Sequence, residues 1–202
     1  MTEELGLRAR KKAERRRTIE DAAMALFRAN GFDPTTIDDI ANRADIAPRT
    51  FFYYFSTKED VVLADYADRL RQIIEVLEQR TSSDSPWEAL RAAFVTVADD
   101  YEARREDLIA RFTIMARTPS VYARSLHLQA GWEDSLAEIL NDRMSGSADS
   151  DLLASAALAC MRSSLRRWIL TDQQEPLPDL IQACFDRLGA GLATPIQAIQ
   201  AT

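Results

Sequence analysis

The chain predicts an all-α fold, on three observations. Apolar residues recur at helical spacing along most of its length, Gly is scarce at 6 of 202 residues, and β-branched runs that would mark strands are absent. At 47% hydrophobic the chain can bury a substantial core, enough for one domain or two small ones. The formal net charge of −7 counts mildly against a nucleic-acid partner, but the sum hides an uneven distribution. Residues 8–17, RARKKAERRR, carry seven basic side chains and one acid, so the acidic excess lies further along.

That basic run precedes a helical stripe of Ile19, Ala22, Ala23, Leu26 and Phe27, read as a helix from Arg17 to Asn30. The run itself has two readings: a solvated helix start, or an arm laid along phosphates or into a minor groove. Gly31 fits the left-handed cap that ends the helix, and Asp33-Pro34 makes the turn beyond it.

The stretch Thr35 to Lys58 organises the rest. Thr36 offers a hydroxyl cap, and Asp38 and Asp39 stand in the first turn of a short helix over Ile37–Arg43, where the helix dipole favours acids. Ala44 to Ala47 is a tight turn, with Asp45 at the position suited to positive φ. Pro48 opens a second helix, running to Phe55, at a place that needs no backbone N–H. Arg49, Thr50, Tyr53 and Tyr54 put a basic, hydroxyl-bearing face beside the anchors Phe51, Phe52 and Phe55. One face to dock and one to reach into a major groove is what a helix-turn-helix requires.

The residues from about Arg17 to Val62 resemble the DNA-binding domain of the TetR family of bacterial transcriptional regulators. The likeness is carried by Ile19, Ala22, Ala23, Leu26, Phe27, Gly31, Phe32, Thr35, Thr36, Ile37, Ile40, Ala41 and Ala44. It resumes after the turn with Ile46, Thr50, Phe51, Phe52, Tyr54, Phe55, Lys58 and Glu59. Three positions depart from the family pattern: Asp45 for Gly, Ala47 for a hydroxyl N-cap, and Phe52 for a common Tyr. The resemblance implies that Arg17, Thr36, Ala47, Pro48, Arg49, Thr50, Tyr53, Tyr54 and Lys58 meet double-stranded DNA. Arg49 is the expected base reader, since a guanidinium can bind guanine in a bidentate way. Thr36 and Lys58 are expected on phosphates.

Beyond Lys58 a long helix is expected to about Arg80, capped by Ser56 or Thr57. Residues 81–86, TSSDSP, form the clearest loop, and Pro86 opens a helix with Trp87, Leu90, Phe94, Val97 and Tyr101 on one stripe. A short helix follows with Leu108, Phe112 and Met115, then helices over Tyr122–Met144, Asp149–Leu170 and Asp179–Leu188. That makes about nine helices. The expected division is residues 1–57 as basic arm and helix-turn-helix domain, and 58–202 as ligand-binding and dimerisation domain.

TetR-like proteins dimerise through their last two helices, so the resemblance implies a homodimer on a palindromic operator. It also implies an effector pocket, for which Trp87, Phe94, Tyr101, Phe112, Met115, Tyr122, Trp132 and Met161 are the candidate lining. An aromatic stripe at helical spacing is equally the mark of plain core. The region after the head is similar to the C-terminal domain of mycofactocin-type regulators, in its PRTFF start and helix layout, which implies an acyl-CoA-like effector. Arg104, Arg105 and Arg111 would balance an anionic head group, or sit in solvent.

No glycine-rich phosphate loop, nucleophile elbow or metal-ligand cluster is present, so an enzyme, a metal site or a cofactor is not expected. Asp99, Asp100 and Glu102 read as carboxylates on an exposed face. Cys160 and Cys184 are expected as reduced thiols of a soluble, cytoplasmic protein with neither signal peptide nor membrane span. The reading is a ligand-released dimeric repressor. Its rival is a DNA-bound adaptor governed by a protein partner.

Overall fold

The computed structural model describes residues 2–80, 85–143, 149–170 and 175–193. It is all-helical among those residues, with ten helices: α1 (Thr2–Asn30), α2 (Ile37–Arg43), α3 (Pro48–Tyr54), α4 (Lys58–Val62), α5 (Tyr66–Gln79), α6 (Pro86–Ala103), α7 (Arg105–Arg117), α8 (Pro119–Arg143), α9 (Ser150–Leu170) and α10 (Leu177–Ala193). They form two compact units. Residues 1–65 and 109–126 make the first, and 66–108 and 127–202 the second.

In the first unit α1 packs on α2 and α4, and α2 on α3. Ile19, Ala23, Phe27, Phe32, Ile40, Ala41, Phe51, Phe55 and Val61 are its buried apolar core. The basic run is helical and continuous with α1, which starts at Thr2 rather than at the expected Arg17. Gly31 takes φ 88° and donates to the Phe27 carbonyl at 3.0 Å, closing α1 as its sequence position predicts.

Two boundaries of the helix-turn-helix are fixed by local bonds. Thr36 Oγ1 accepts from the Asp39 amide at 3.1 Å, while the Asp39 carboxylate accepts from the Thr36 amide at 2.9 Å, a reciprocal capping box. At the other end Asp45 adopts φ 52°. The Ile46 amide then reaches back to the Ala41 carbonyl at 3.0 Å and the Asp45 amide to Asn42 at 3.3 Å, the two bonds of a Schellman cap.

The expected helix from Lys58 to Arg80 is broken between Val62 and Tyr66, which raises the count from about nine to ten. Neither Gly nor Pro marks the break. Side chains from elsewhere in the first unit take the carbonyls a continuous helix would have used. Arg111 donates to Val61 O at 2.9 Å and Val62 O at 3.2 Å, and Arg16 donates to Ala64 O at 2.7 Å. With those acceptors satisfied, interrupting the ladder costs little.

In the second unit α6 is central, packed by α5, α9 and α10, and α9 also meets α10. Ser85 caps α6 through a capping box with Glu88, and Pro86 stands in its first turn. The Trp87 indole N–H donates to the Phe185 carbonyl at 3.1 Å, with the two rings 4.6 Å apart. Gly189 lies beneath that indole, where a Cβ would come within 2.9 Å of Trp87 Nε1. The α9 helix begins at Ser150 and α10 at Leu177, close to their predicted starts.

Candidate nucleic-acid interface

The outer face of α3 is built from inside out. Phe51 and Phe55 are buried with rings 5.8 Å apart, and they anchor the helix on the core. Phe52 and Tyr53, the next positions round, are 57% and 68% exposed. Ala47, Pro48 and Arg49 are exposed at the start of the helix, and Thr50 and Tyr54 are half-buried. Tyr53 and Tyr54 meet edge to face at 5.0 Å. Ala47 supplies no side-chain cap, so the N-terminus of α3 is closed by no side chain of its own turn. Arg49, Thr50 and Tyr53 therefore share the open side of a short, rigidly seated helix.

Other expected DNA contacts are engaged internally. The Thr36 hydroxyl donates to Asp39 Oδ2 at 2.6 Å. That bond and the Thr36 amide hold the exposed Asp39 carboxyl below its usual range. Lys58 donates to Phe32 O at 2.7 Å, Thr35 O at 2.8 Å and Asp33 O at 3.3 Å, and its ammonium lies 4.3 Å from the Phe32 ring centre. It ties the loop before α2 to the start of α4. Arg17 is exposed on α1, whereas neighbouring Arg16 turns inward to Ala64 O and the face of Phe55.

Arg111, expected on an anionic head group or in solvent, is placed otherwise. Its side chain is buried in the first unit, bound to Val61 O, to Val62 O and, at 3.5 Å, to Glu20. Burial pushes the Glu20 carboxyl up from its ordinary value, outweighing the opposing pull of Arg111 and Arg16. No local signal distinguishes such an arginine from a solvated one, because its partners lie about fifty residues away.

The eight expected ligand residues divide between the units. Phe112, Met115 and Tyr122 belong to the first, where Tyr122 is 52% exposed. Trp87, Phe94, Tyr101, Trp132 and Met161 belong to the second. There Phe94 and Trp87 both pack on Phe185, and Trp132 meets Tyr66 at 5.4 Å. Buried Arg69, which the sequence did not flag, sets its guanidinium 4.2 Å from the Tyr101 ring centre.

Two further expectations change. Glu102 is no solvated carboxylate: its Oε1 accepts from Trp168 Nε1 at 2.8 Å and from the Leu177 amide at 2.6 Å, capping α10. Arg105 lies over the Trp168 ring, and Arg104 pairs with Asp107 at 3.3 Å. Cys160 and Cys184 are free thiols, and burial first, then Cys184 itself, pushes the Cys160 thiol well up. Among the described residues no cluster of His, Cys, Asp and Glu is arranged to hold a metal, and no helix is long and apolar enough to cross a membrane.

Comparison with known proteins decides the family. Residues 19–64 match bacterial regulatory proteins of the tetR family, and residues 84–193 match the MftR C-terminal domain. The chain belongs to the TetR family of transcriptional regulators. It is 33% identical over 178 residues to the mycofactocin biosynthesis transcriptional regulator MftR of Mycobacterium tuberculosis, covering 86% of this chain and 89% of that one. It is 31% identical over 175 residues to the HTH-type transcriptional regulator TcmR of Streptomyces glaucescens, covering 82% and 77%. Among solved structures, FadR from Bacillus subtilis in complex with stearoyl-CoA superposes with a TM-score of 0.64 at 19% identity, covering 86% of this chain and 97% of that one. Thermus thermophilus FadR, a TetR-family repressor in complex with lauroyl-CoA, gives 0.59 at 26%, covering 93% and 100%. The TetR-family relatives are regulators, not enzymes, and α2 and α3 are the helix-turn-helix of this one.

Proposed function

We propose that this regulator is a homodimeric repressor that reads a palindromic operator through α3 and is released by an amphipathic effector of the acyl-CoA type. The observation that carries the reading is the outer face of α3, where Arg49 and Tyr53 stand in solvent while Phe51 and Phe55 fix the helix. Arg49 reads bases, worth about 1–3 kcal/mol of discrimination. Thr50 and the two tyrosines set register on phosphates and sugars.

Dimerisation through α9 and α10 is supported by apolar side chains that the second unit leaves uncovered. Leu152 is 56% exposed, Leu153, Ala156 and Ala159 are half-buried along the same helix, and Leu188 is exposed on α10. Ala154, Ala157, Cys160, Ile181 and Phe185 are buried within the unit and serve its own core. A two-fold pair presents two α3 helices to successive major grooves. The acyl-CoA complexes of the structurally similar FadR proteins support an acyl-CoA effector. It acts by population shift, favouring a dimer whose reading helices no longer match the groove spacing.

The test is a titration against DNA from the upstream region of its own gene, wild type beside Arg49→Ala, with and without stearoyl-CoA. Saturable, palindrome-selective binding that Arg49→Ala relaxes and stearoyl-CoA weakens supports the proposal. Binding that is blind to sequence and unmoved by the substitution overturns base reading by α3. Selective binding indifferent to stearoyl-CoA overturns the effector assignment and favours an adaptor with a protein partner.

A further inference from the structure

One stripe of α9 reads as its own complement when the helix is reversed. Asp149, Leu152, Ala156, Ala159, Ser163 and Arg166 follow one another by alternating steps of three and four residues, the spacing of a coiled-coil seam. Asp149 is held at the head of the helix, where its carbonyl accepts from the Leu153 amide at 2.9 Å. None of the six is buried within the second unit. Asp149, Leu152, Ser163 and Arg166 are exposed, and Ala156 and Ala159 are half-buried. The opposite face, with Ala154, Leu158, Met161 and Leu165, is buried in the unit's own core. Laid end to end against a reversed copy of itself, the stripe sets Asp149 on Arg166, Leu152 on Ser163 and Ala156 on Ala159. An acid and a base, about 25 Å apart along the axis, thus bracket a middle of small and apolar side chains.

We infer that α9 pairs with the α9 of a second copy of this chain, antiparallel, in the one register that sets Asp149 of each against Arg166 of the partner subunit. The inference rests on the proposed homodimer and adds the polarity, the register and the residues that select a like partner. Charge decides the polarity. A parallel pair opposes acid to acid and base to base, whereas the antiparallel pair makes one ion pair at each end and aligns the two helix dipoles head to tail. The dyad then falls between Ala156 and Ala159, as an isologous contact requires. Side chains of that size let the axes approach to the low end of the usual spacing of about 8–10 Å, and Leu152 gains cover on both sides of the dyad. Polar groups on such a seam fix register. A slip of one heptad sets Asp149 against Ala159 and carries Arg166 past the end of the stripe. A partner lacking either charge is disfavoured for the same reason.

The test is a charge exchange. Sedimentation at low salt, where exposed ion pairs are least screened, gives the dimer dissociation constant of wild type, Asp149→Lys, Arg166→Glu and the 1:1 mixture of the two variants. Each variant alone opposes like charges at both ends of its homodimer, so its dissociation constant should rise roughly tenfold or more. The mixture is complementary at both ends and should return to near the wild-type value, as should the double variant Asp149→Lys/Arg166→Glu. A dimeric wild type whose single variants dimerise equally well overturns the register while homodimerisation stands, and places another face, such as α10 of the partner, against α9. Single variants that are weakened but not rescued by mixing also overturn the pairing. A wild type that stays monomeric overturns the homodimer and the register together. Should circular dichroism show Asp149→Lys unfolded, Asp149→Ser, which keeps a capping hydroxyl, replaces it in a cycle with Arg166→Gln. Each single change should then weaken the dimer and the double change no further than either; additive losses overturn the pairing.

Discussion

Lys58 holds Phe32 twice: its ammonium donates to the Phe32 carbonyl at 2.7 Å and sits over the same residue's ring. A lysine at a helix N-terminus facing a DNA-reading head suggests a phosphate clamp, yet all three of its N–H groups are aimed at carbonyls of the loop between α1 and α2. Lys58→Ala should therefore lower stability by about 1–3 kcal/mol, through acceptors left without a charged donor. It should change the salt slope of DNA binding by much less than one phosphate contact. Urea unfolding and a salt titration of DNA affinity measure the two quantities separately.

Asp45 pays the steric cost of a left-handed backbone in the cap that ends α2. Asp45→Gly keeps both cap bonds, since they are made by backbone, and removes that cost. The variant should be more stable by about 0.5–1 kcal/mol. A rise in thermal midpoint with unchanged operator affinity is the expected result, and a fall would mean that the Asp45 side chain itself holds the turn.

Gly189 lies in the interior of α10, where Ala would ordinarily be favoured by about 1 kcal/mol. Its Cβ would stand 2.9 Å from an indole nitrogen pinned to the Phe185 carbonyl. Gly189→Ala should consequently destabilise the second unit, because the ring must leave its hydrogen bond to make room. Gly189→Ala combined with Trp87→Phe, which shortens the ring and removes the N–H, should recover part of the loss. Chemical denaturation of the single and double variants checks the coupling.

Glu20 makes stability depend on pH. Burial raises its carboxyl above the ordinary 4.5, with Asp65 and Asp21 adding to the rise while Arg111 and Arg16 oppose it. The folded chain thus holds this proton more tightly than the unfolded chain. That stabilisation is complete below about 4.5 and is lost as pH rises through the folded value. Glu20→Gln stays neutral throughout. The difference in melting temperature, wild type minus Glu20→Gln, should fall as pH increases from 4.5 toward neutrality. A difference that grows instead would show the two arginines outweighing burial.

Much of this architecture is written locally. Gly31, Thr36, Asp45, Pro48 and Pro86 each sit at a helix boundary for a reason contained within a few residues, so those caps and the helix-turn-helix could be read directly. What escaped reading depends on partners distant in the chain. Arg16 and Arg111 interrupt the helix expected from Lys58 to Arg80, and Glu102 caps a helix seventy-five residues later. Composition near those residues is the same as on any solvated helix face. The aromatic stripe is a third case. Spacing foretold that Phe94, Tyr101 and Trp132 turn inward, but a side chain that fills core and one that meets a ligand share that spacing.

The three tryptophans of the chain, Trp87, Trp132 and Trp168, all lie in the second unit. Trp87 and Trp168 donate from their indole nitrogens to a backbone carbonyl and a carboxylate, and Trp132 packs on Tyr66. Intrinsic indole emission is thereby a built-in optical reporter of one unit alone. The unit that carries α3 is dark at those wavelengths, so its melting can be followed by circular dichroism while the emission stays constant. Where the two signals part company, the halves of this regulator open independently; where they coincide, a single cooperative event governs both.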